Sequence, residues 1–186
     1  MQVCEGQQYD MDFESRDKVE LDEYINMIAL KTSVLFEGAI EIGAILGGAN
    51  THNINRLREF ALEFGLAFQL QDDLLDSYGD SRLGKNVGGD ILEGKKTYLM
   101  ISALNAATPE EQAELRAIPR DESLSAEEKI SRTLAIFDRY DVKGKTEQEI
   151  NRRFAKALAA LAEVEAKAEA LAELKAFVEG LMGRDK

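Results

Sequence analysis

The sequence predicts an all-α protein that forms a single helical domain over residues 1–186, and three observations carry this prediction. Proline occurs only 2 times in the chain, so few positions would interrupt a helix. Apolar residues recur at three- and four-residue steps in several long runs, which is the spacing of amphipathic helices. No stretch shows the two-residue alternation that is typical of a half-buried strand.

Composition limits the classes of function that the chain can have. With 45% hydrophobic and 31% charged residues, it has the composition of an ordinary globular domain. A net charge of −12 opposes binding to nucleic acid or anionic membranes, so an anionic substrate would need a local basic patch or metal ions. The single cysteine, Cys4, excludes an internal disulfide framework and fits a reducing cytoplasm, where we expect the protein to act.

Neither a membrane segment nor a secretory signal is predicted. The most apolar run, residues 33–50, contains Glu37 and Glu41, which a bilayer span would not tolerate at this position. The first twenty residues are acidic, whereas a secretory signal begins with a basic region.

The first predicted helix covers residues 22–46, with Asp22 as its N-cap and Gly47-Gly48 as its end. Lys31 lies beside its apolar stripe and is followed by Thr32. A lysine in that place can simply extend its amine to water, or it can belong to a site. The stripe consists of Ile25, Ile28, Ala29, Thr32, Leu35, Phe36, Ala39, Ile42 and Gly43.

The second predicted helix, residues 53–78, ends in the most informative stretch of the chain, FQLQDDLLD. Asp72, Asp73 and Asp76 lie at i, i+1 and i+4, and Gln69 lies one turn earlier, so all four share one flank. Carboxylates in a last turn oppose both one another and the negative end of the helix dipole. A bound cation would offset these costs, and oxygen ligands on a rigid helix suit Mg²⁺. A solvated acidic helix end is the alternative.

Two further features surround this stretch. Gly65, in the middle of the same helix, costs about 1 kcal/mol relative to alanine, so a close helix or ligand contact is expected there.

Residues 79–94 form a long predicted loop with glycines at five positions and Lys85 inside it, and Lys95-Lys96 follow. Glycines let backbone amides approach an anion, and lysines supply charge for phosphate. We interpret this loop as an active-site loop; a flexible loop with solvated lysines is the alternative.

From Lys96 to the end, the chain is interpreted as a structural scaffold of helices. Helices are predicted over residues 97–106, 109–117, 126–140 and 147–182. Capping boxes are predicted at Thr108, Ser125 and Thr146, each with a glutamate three residues later. The last segment is interpreted as one packed helix or a helix pair rather than a coiled coil, because it holds fewer than four clean heptads.

These stretches together resemble the trans-isoprenyl diphosphate synthases, which make farnesyl, geranylgeranyl and longer polyprenyl diphosphates. Residues 6–10 (GQQYD) resemble the family's GQxxD segment, and residues 24–36 (YINMIALKTSVLF) resemble its KT helix. Residues 68–76 resemble its second aspartate-rich motif, and residues 84–97 the loop after it. The resemblance implies a helical bundle of the isoprenoid-synthase type.

The resemblance also implies a reaction and a cofactor. In prenyl transfer, Mg²⁺ draws diphosphate off an allylic substrate, and isopentenyl diphosphate attacks the resulting cation. Asp72 would be a direct Mg²⁺ ligand, with Asp73 and Asp76 binding directly or through metal-bound water.

The remaining implied roles concern the allylic substrate. Lys31, Lys85 and Lys95 would hold its diphosphate. Gln69 and Thr32 would line the place where the cation forms and offer oxygen dipoles to it.

One departure from the family is as informative as the match. The family carries an earlier DDxxD or DDxxxxD motif followed by an arginine pair, and residues 1–60 contain nothing similar. We therefore expect the C-terminal part of a longer synthase, a bundle without its N-terminal helices, that is inactive alone. The alternative is a noncatalytic helical subunit that pairs with a complete synthase. Either case predicts exposed apolar surface, and the family implies a homodimer.

Overall fold

The computed structural model describes residues 1–79 and 87–183, and none of these lies in a strand, which confirms the all-α prediction. The helices are α1 (Gln2–Glu14), α2 (Leu21–Ile28), a π-helical segment (Ala29–Ser33), α3 (Val34–Leu46), α4 (Thr51–Tyr78), α5 (Gly89–Glu93), α6 (Tyr98–Ala106), α7 (Pro109–Ala117), a 3₁₀ turn (Ile118–Arg120), α8 (Ala126–Arg139), α9 (Val142–Ala162) and α10 (Ala168–Met182). In this part of the chain, no helix is both long and apolar enough to cross a membrane.

Helix α4 is the central element, because apolar residues along it belong to two separate core clusters. Phe60 and Phe64 pack with residues of α9 and α10. Leu66, Leu70 and Leu74 pack with residues of α2, α6 and α8. A helix that is anchored to two clusters has little freedom to move, so the polar residues near its end are carried on a rigid support.

The π-helical segment joins α2 to α3 and is held between two glycines. A Cβ atom added to Gly65 of α4 would lie 2.6 Å from the Cα atom of Ser33. A Cβ atom added to Gly6 of α1 would lie 2.8 Å from the Cα atom of Lys31. The close helix contact expected at Gly65 is therefore confirmed, and Gly6 serves the same purpose on the other side.

The same segment explains why part of the predicted stripe is exposed. A π turn contains more residues than an α turn, so positions after Ser33 are rotated relative to those before it. Leu35 and Ile42 are 60% and 61% exposed, and Leu46 is 83% exposed. The expectation of exposed apolar surface is confirmed for this face of α3.

Two predicted helix starts are wrong. The helix expected to begin at Asp22 begins at Leu21 and has Glu20 as its N-cap, in a capping box in which the Glu20 amide donates to the Glu23 carboxylate at 2.9 Å. The box expected at Thr146 lies inside α9, where the Thr146 hydroxyl donates to the carbonyl of Val142 at 2.8 Å. The boxes at Thr108 and Ser125 are confirmed.

The helix pair, one of the two forms predicted for the last segment, is confirmed, whereas the predicted loop 79–94 is corrected. The stretch 147–182 is a helix pair, because the side chain of Asn53 receives the Glu165 amide at 3.0 Å and donates to its carbonyl at 2.8 Å, which fixes the break. The loop 79–94 contains α5, whose residue Ile91 is buried in the core. Gly88 and Gly94, with φ of 90° and 72°, are the two caps of α5.

Replacing Gly65 with alanine should test the packing of the π-helical segment. We expect Gly65→Ala to lower the free energy of unfolding by about 1–3 kcal/mol, because the added methyl group would overlap backbone atoms of Ser33. Urea denaturation measures this change. The matched control is Gly38→Ala in α3, where a Cβ atom meets nothing within 4 Å; it should stabilise by about 0.5–1 kcal/mol. Equal effects of the two substitutions would contradict the packing argument.

Candidate functional site

Five of the predicted site residues line one open cleft of about 230 Å³, which we call the DDxxD cleft. Residues of α1, α2, the π-helical segment, α4 and the stretch 90–97 form its walls. They are Asp10, Tyr24, Met27, Ile28, Lys31, Gln69, Asp72, Asp73, Asp90, Lys95, Lys96 and Thr97. The structure therefore brings Lys31, Gln69, Asp72, Asp73 and Lys95 together. Lys85 lies outside the described residues.

Two lysines of the cleft, Lys31 and Lys95, are each held by a carboxylate from another part of the chain or from a neighbouring turn. The Lys31 amine donates to Asp10 at 2.6 Å, so the aspartate of the GQQYD stretch faces the KT pair. The Lys95 amine donates to Asp90 at 2.9 Å and lies 3.0 Å from Glu93. Burial acts to lower the pKa of Lys95, but hydrogen bonds to Asp90 and Glu93 raise it above its ordinary value. Both amines are fixed in direction by these contacts.

A chain of hydrogen bonds connects the predicted catalytic residues. The Thr32 hydroxyl donates to the Gln69 amide oxygen at 2.7 Å. The Gln69 amide nitrogen donates to Asp73 at 3.0 Å, and the hydroxyl of Tyr24 donates to the other oxygen of the same carboxylate. Thr32 thus lies beside the cleft and sets the orientation of the Gln69 amide.

The environment of Asp73 favours its protonated form. Burial raises the pKa of Asp73 to about 7, although the hydrogen bonds from Tyr24 and Gln69 act in the opposite direction. Burial also raises the pKa of Tyr24, so the tyrosine keeps its proton and acts as the donor. Asp73 is a carboxyl group that is already engaged by two donors.

The three aspartates of the motif have different surroundings. Asp72 lines the cleft, whereas Asp76 accepts the backbone amide of Asp90 at 2.9 Å and so ties the end of α4 to α5. Burial raises the pKa of Asp76. Among residues 1–79 and 87–183, no three His, Cys, Asp or Glu side chains are grouped closely enough to hold a metal by themselves.

Mg²⁺ nevertheless fits the chemistry of this cleft. The ion prefers oxygen ligands and is commonly held by one or two carboxylates, with water and substrate phosphates in its other positions. Asp72 offers such an oxygen at the cleft wall, on a rigid helix. The prediction of Asp72, Asp73 and Asp76 as metal ligands stays a prediction, and the geometry gives Asp72 the most direct access.

Comparisons with known proteins agree with the family resemblance of the sequence motifs. The sequence model of the family described as polyprenyl synthetase matches residues 1–137. This chain belongs to the polyprenyl synthetase family. A short chain isoprenyl diphosphate synthase from Methanothermobacter thermautotrophicus is 42% identical over 143 residues, which are 75% of this chain and 42% of that protein. The chain thus spans about two fifths of the length of this relative.

Solved structures of the family agree with the fold. The crystal structure of a geranylgeranyl pyrophosphate synthase superposes with a TM-score of 0.89 at 40% identity, over 100% of this chain and 58% of that one. A geranylgeranyl pyrophosphate synthase from Corynebacterium glutamicum, complexed with isoprenyl diphosphate and magnesium, has a TM-score of 0.89 at 28% identity. The superposition covers 98% of this chain and 52% of the Corynebacterium chain.

Sequence reasoning gave no role to three residues that this polyprenyl synthetase chain places at the cleft. Tyr24 stands seven positions before Lys31, and that spacing of two helical turns was a signal that both share one face. Asp10 belongs to the GQQYD stretch, but nothing in the local sequence indicates that it pairs with Lys31. Asp90 had no local signal, because its partner Lys95 comes after a turn at Gly94.

The raised pKa of Asp73 predicts how stability depends on pH. Since the folded chain holds a proton on Asp73 that the unfolded chain releases near pH 4, native stability should fall as pH rises from about 5 to 8. We expect a loss of about 2 kcal/mol in the free energy of unfolding, measured by urea titration without added metal ions. Asp73→Asn should remove this part of the profile. The control Asp22→Asn, at an exposed position, should keep it, and a profile of wild-type slope in Asp73→Asn would contradict the assignment.

Proposed function

We propose that the protein is a trans-prenyltransferase that condenses an allylic diphosphate with isopentenyl diphosphate to give a longer trans-polyprenyl diphosphate. We further propose that this chain supplies the part of the site that binds the allylic diphosphate. The observation that carries the proposal is the convergence of Lys31 and Lys95 on the cleft that Asp72 lines. The names of the related proteins, short chain isoprenyl and geranylgeranyl diphosphate synthases, support the same reaction class.

The two lysines are suited to bind diphosphate because they are charged and only partly exposed. Their side chains are 31% and 30% exposed, so each amine has an open side for a ligand. In the free protein Asp10 and Asp90 hold the amines in place. On binding, the diphosphate oxygens would share these amines with the carboxylates, so the lysines would need little reordering.

Departure of the diphosphate develops negative charge on its oxygens, and this step needs cations near the bond that breaks. Lys31 and Lys95 supply two of them. Mg²⁺, held by Asp72 and by Asp73 and Asp76 directly or through water, would supply further charge neutralisation when bound. Gln69, whose amide is held between Thr32 and Asp73, would present its oxygen dipole beside the developing allylic cation.

The metal assignment predicts a specific loss in Asp72→Asn. This variant should bind diphosphate in the absence of Mg²⁺ as the wild type does, but Mg²⁺ should no longer strengthen binding. Isothermal titration calorimetry with and without Mg²⁺ measures the difference. Asp22→Asn is the control for removal of one negative charge, and it should retain the Mg²⁺ effect. If Asp72→Asn also retains it, Asp72 is not the metal ligand.

The lysine assignment predicts weaker diphosphate binding in Lys31→Met and in Lys95→Met. Methionine keeps the apolar stem and removes the amine, so each variant should bind inorganic diphosphate about tenfold more weakly. Added salt should also weaken binding less than in the wild type. The control is Lys175→Met, at an exposed position of α10 where the amine lies 3.7 Å from Glu179, and it should have no effect. Unchanged affinity in both cleft variants would contradict the assignment.

A second candidate function has one observation in its favour. The exposed apolar face of α3 is suited to pairing, as in a noncatalytic subunit of a complete synthase or in a homodimer. The two functions differ in what Lys31→Met does to turnover of the assembled synthase. A catalytic role requires a large loss of rate, whereas a purely structural subunit would leave the rate unchanged.

A further inference from the structure

A second cleft, of about 140 Å³, lies next to the DDxxD cleft and shares Lys96 with it. Its walls come from the end of α1, the turn after α5, and helices α6 and α7 with the following 3₁₀ turn. We call it the basic cleft after three of its cations, Lys96, Arg116 and Arg120. None of the roles assigned above uses Arg116 or Arg120.

The three cations of the basic cleft stand close to one another. Burial lowers the pKa of Lys96, and the charges of Arg120 and Arg116 lower it further. Repulsion of this kind costs stability unless an anion offsets it. The whole lining is mixed, because Arg16 and three carboxylates also belong to it, and Arg16 pairs with Glu23 at 2.8 Å.

Within the described residues, no hydrogen bond or ion pair joins these three cations to a carboxylate, since Glu93, which also lines the cleft, pairs with Lys95 at 3.0 Å. Arg116 reaches only the uncharged Gln112, at 3.5 Å, and the Lys96 amine reaches the carbonyl of Gly94 at 3.4 Å. Glu14 and Asp17, at the end of α1, line the opposite wall and partly counteract the effect on Lys96. An anion is therefore favoured at the arginine side of the cleft.

The floor of the basic cleft is apolar. Met100 and Leu115 lie there and are only 4% and 1% exposed. Guanidinium groups bind phosphate oxygens through two parallel hydrogen bonds, and an ammonium group adds a point charge. A small cavity with this lining suits a compact phosphate group, with room on the apolar floor for a short organic substituent.

We propose that the basic cleft is a second anion site, in which Arg116, Arg120 and Lys96 bind a phosphate-class dianion. The ligand is either free phosphate or diphosphate, or the head group of a small organic phosphate. The site is separate from the allylic diphosphate site, because Lys31 and Lys95 line only the DDxxD cleft.

The test is titration of the whole protein in EDTA with inorganic phosphate, inorganic diphosphate and phenyl phosphate. Calorimetry gives the affinity, and amide NMR shifts give the location. We expect shifts at Gly94 and at those residues of 115–120 that carry an amide proton, which excludes Pro119. The double variant Arg116→Gln/Arg120→Gln should bind at least about tenfold more weakly. The control Arg132→Gln, an exposed arginine of α8, should bind as the wild type does.

The double variant Lys31→Gln/Lys95→Gln distinguishes the two clefts, and it should leave phosphate shifts at residues 115–120 unchanged. Loss of those shifts in this variant, or their retention in the arginine variant, would overturn the proposal. Circular dichroism checks folding, and if the arginine variant is unfolded, Lys96→Gln replaces it with an expected loss of affinity. Tighter binding of phenyl phosphate than of phosphate indicates an organic ligand, and the reverse order indicates the free anion.

Discussion

The structure of the DDxxD cleft depends on how closely the π-helical segment lies between α1 and α4. Gly6 and Gly65 leave no room for a methyl group against the backbone of Lys31 and Ser33. Both neighbouring helices therefore approach the backbone of the π-helical segment closely. The turn directs Lys31 toward Asp10 and Thr32 toward Gln69.

This arrangement gives the aspartates of one motif different tasks. Asp73 is buried and receives hydrogen bonds from Tyr24 and Gln69, so it holds the cleft together from inside. Asp76 accepts an amide of α5 and closes the end of α4. Asp72 remains on the cleft wall. The repulsion expected for three carboxylates on one helix flank is reduced because burial favours the proton on Asp73 and donors surround Asp76.

The sequence was sufficient for features that depend on local periodicity. The position of α4, the helices at 109–117 and 126–139 and the close contact at Gly65 follow from spacing, capping and the cost of glycine in a helix. It was insufficient where the partner is distant in the chain. Thr146 has the local pattern of a capping box, but Asp141 already starts the helix in a left-handed conformation with φ of 50°. Likewise, nothing near Asp73 indicates that Tyr24, 49 positions away, donates to it.

The segment that separates the two clefts shows how charge is distributed in this strongly acidic chain. Gly94 takes a left-handed conformation against Pro119, and the chain then continues through Lys95 and Lys96 to the cap of α6 at Thr97. Lys95 is neutralised by Asp90 and Glu93, whereas Lys96 experiences the arginines of the other cleft. Two adjacent lysines therefore have different electrostatic surroundings. Thr97 then fixes the start of α6, because its side chain accepts the amide of Met100.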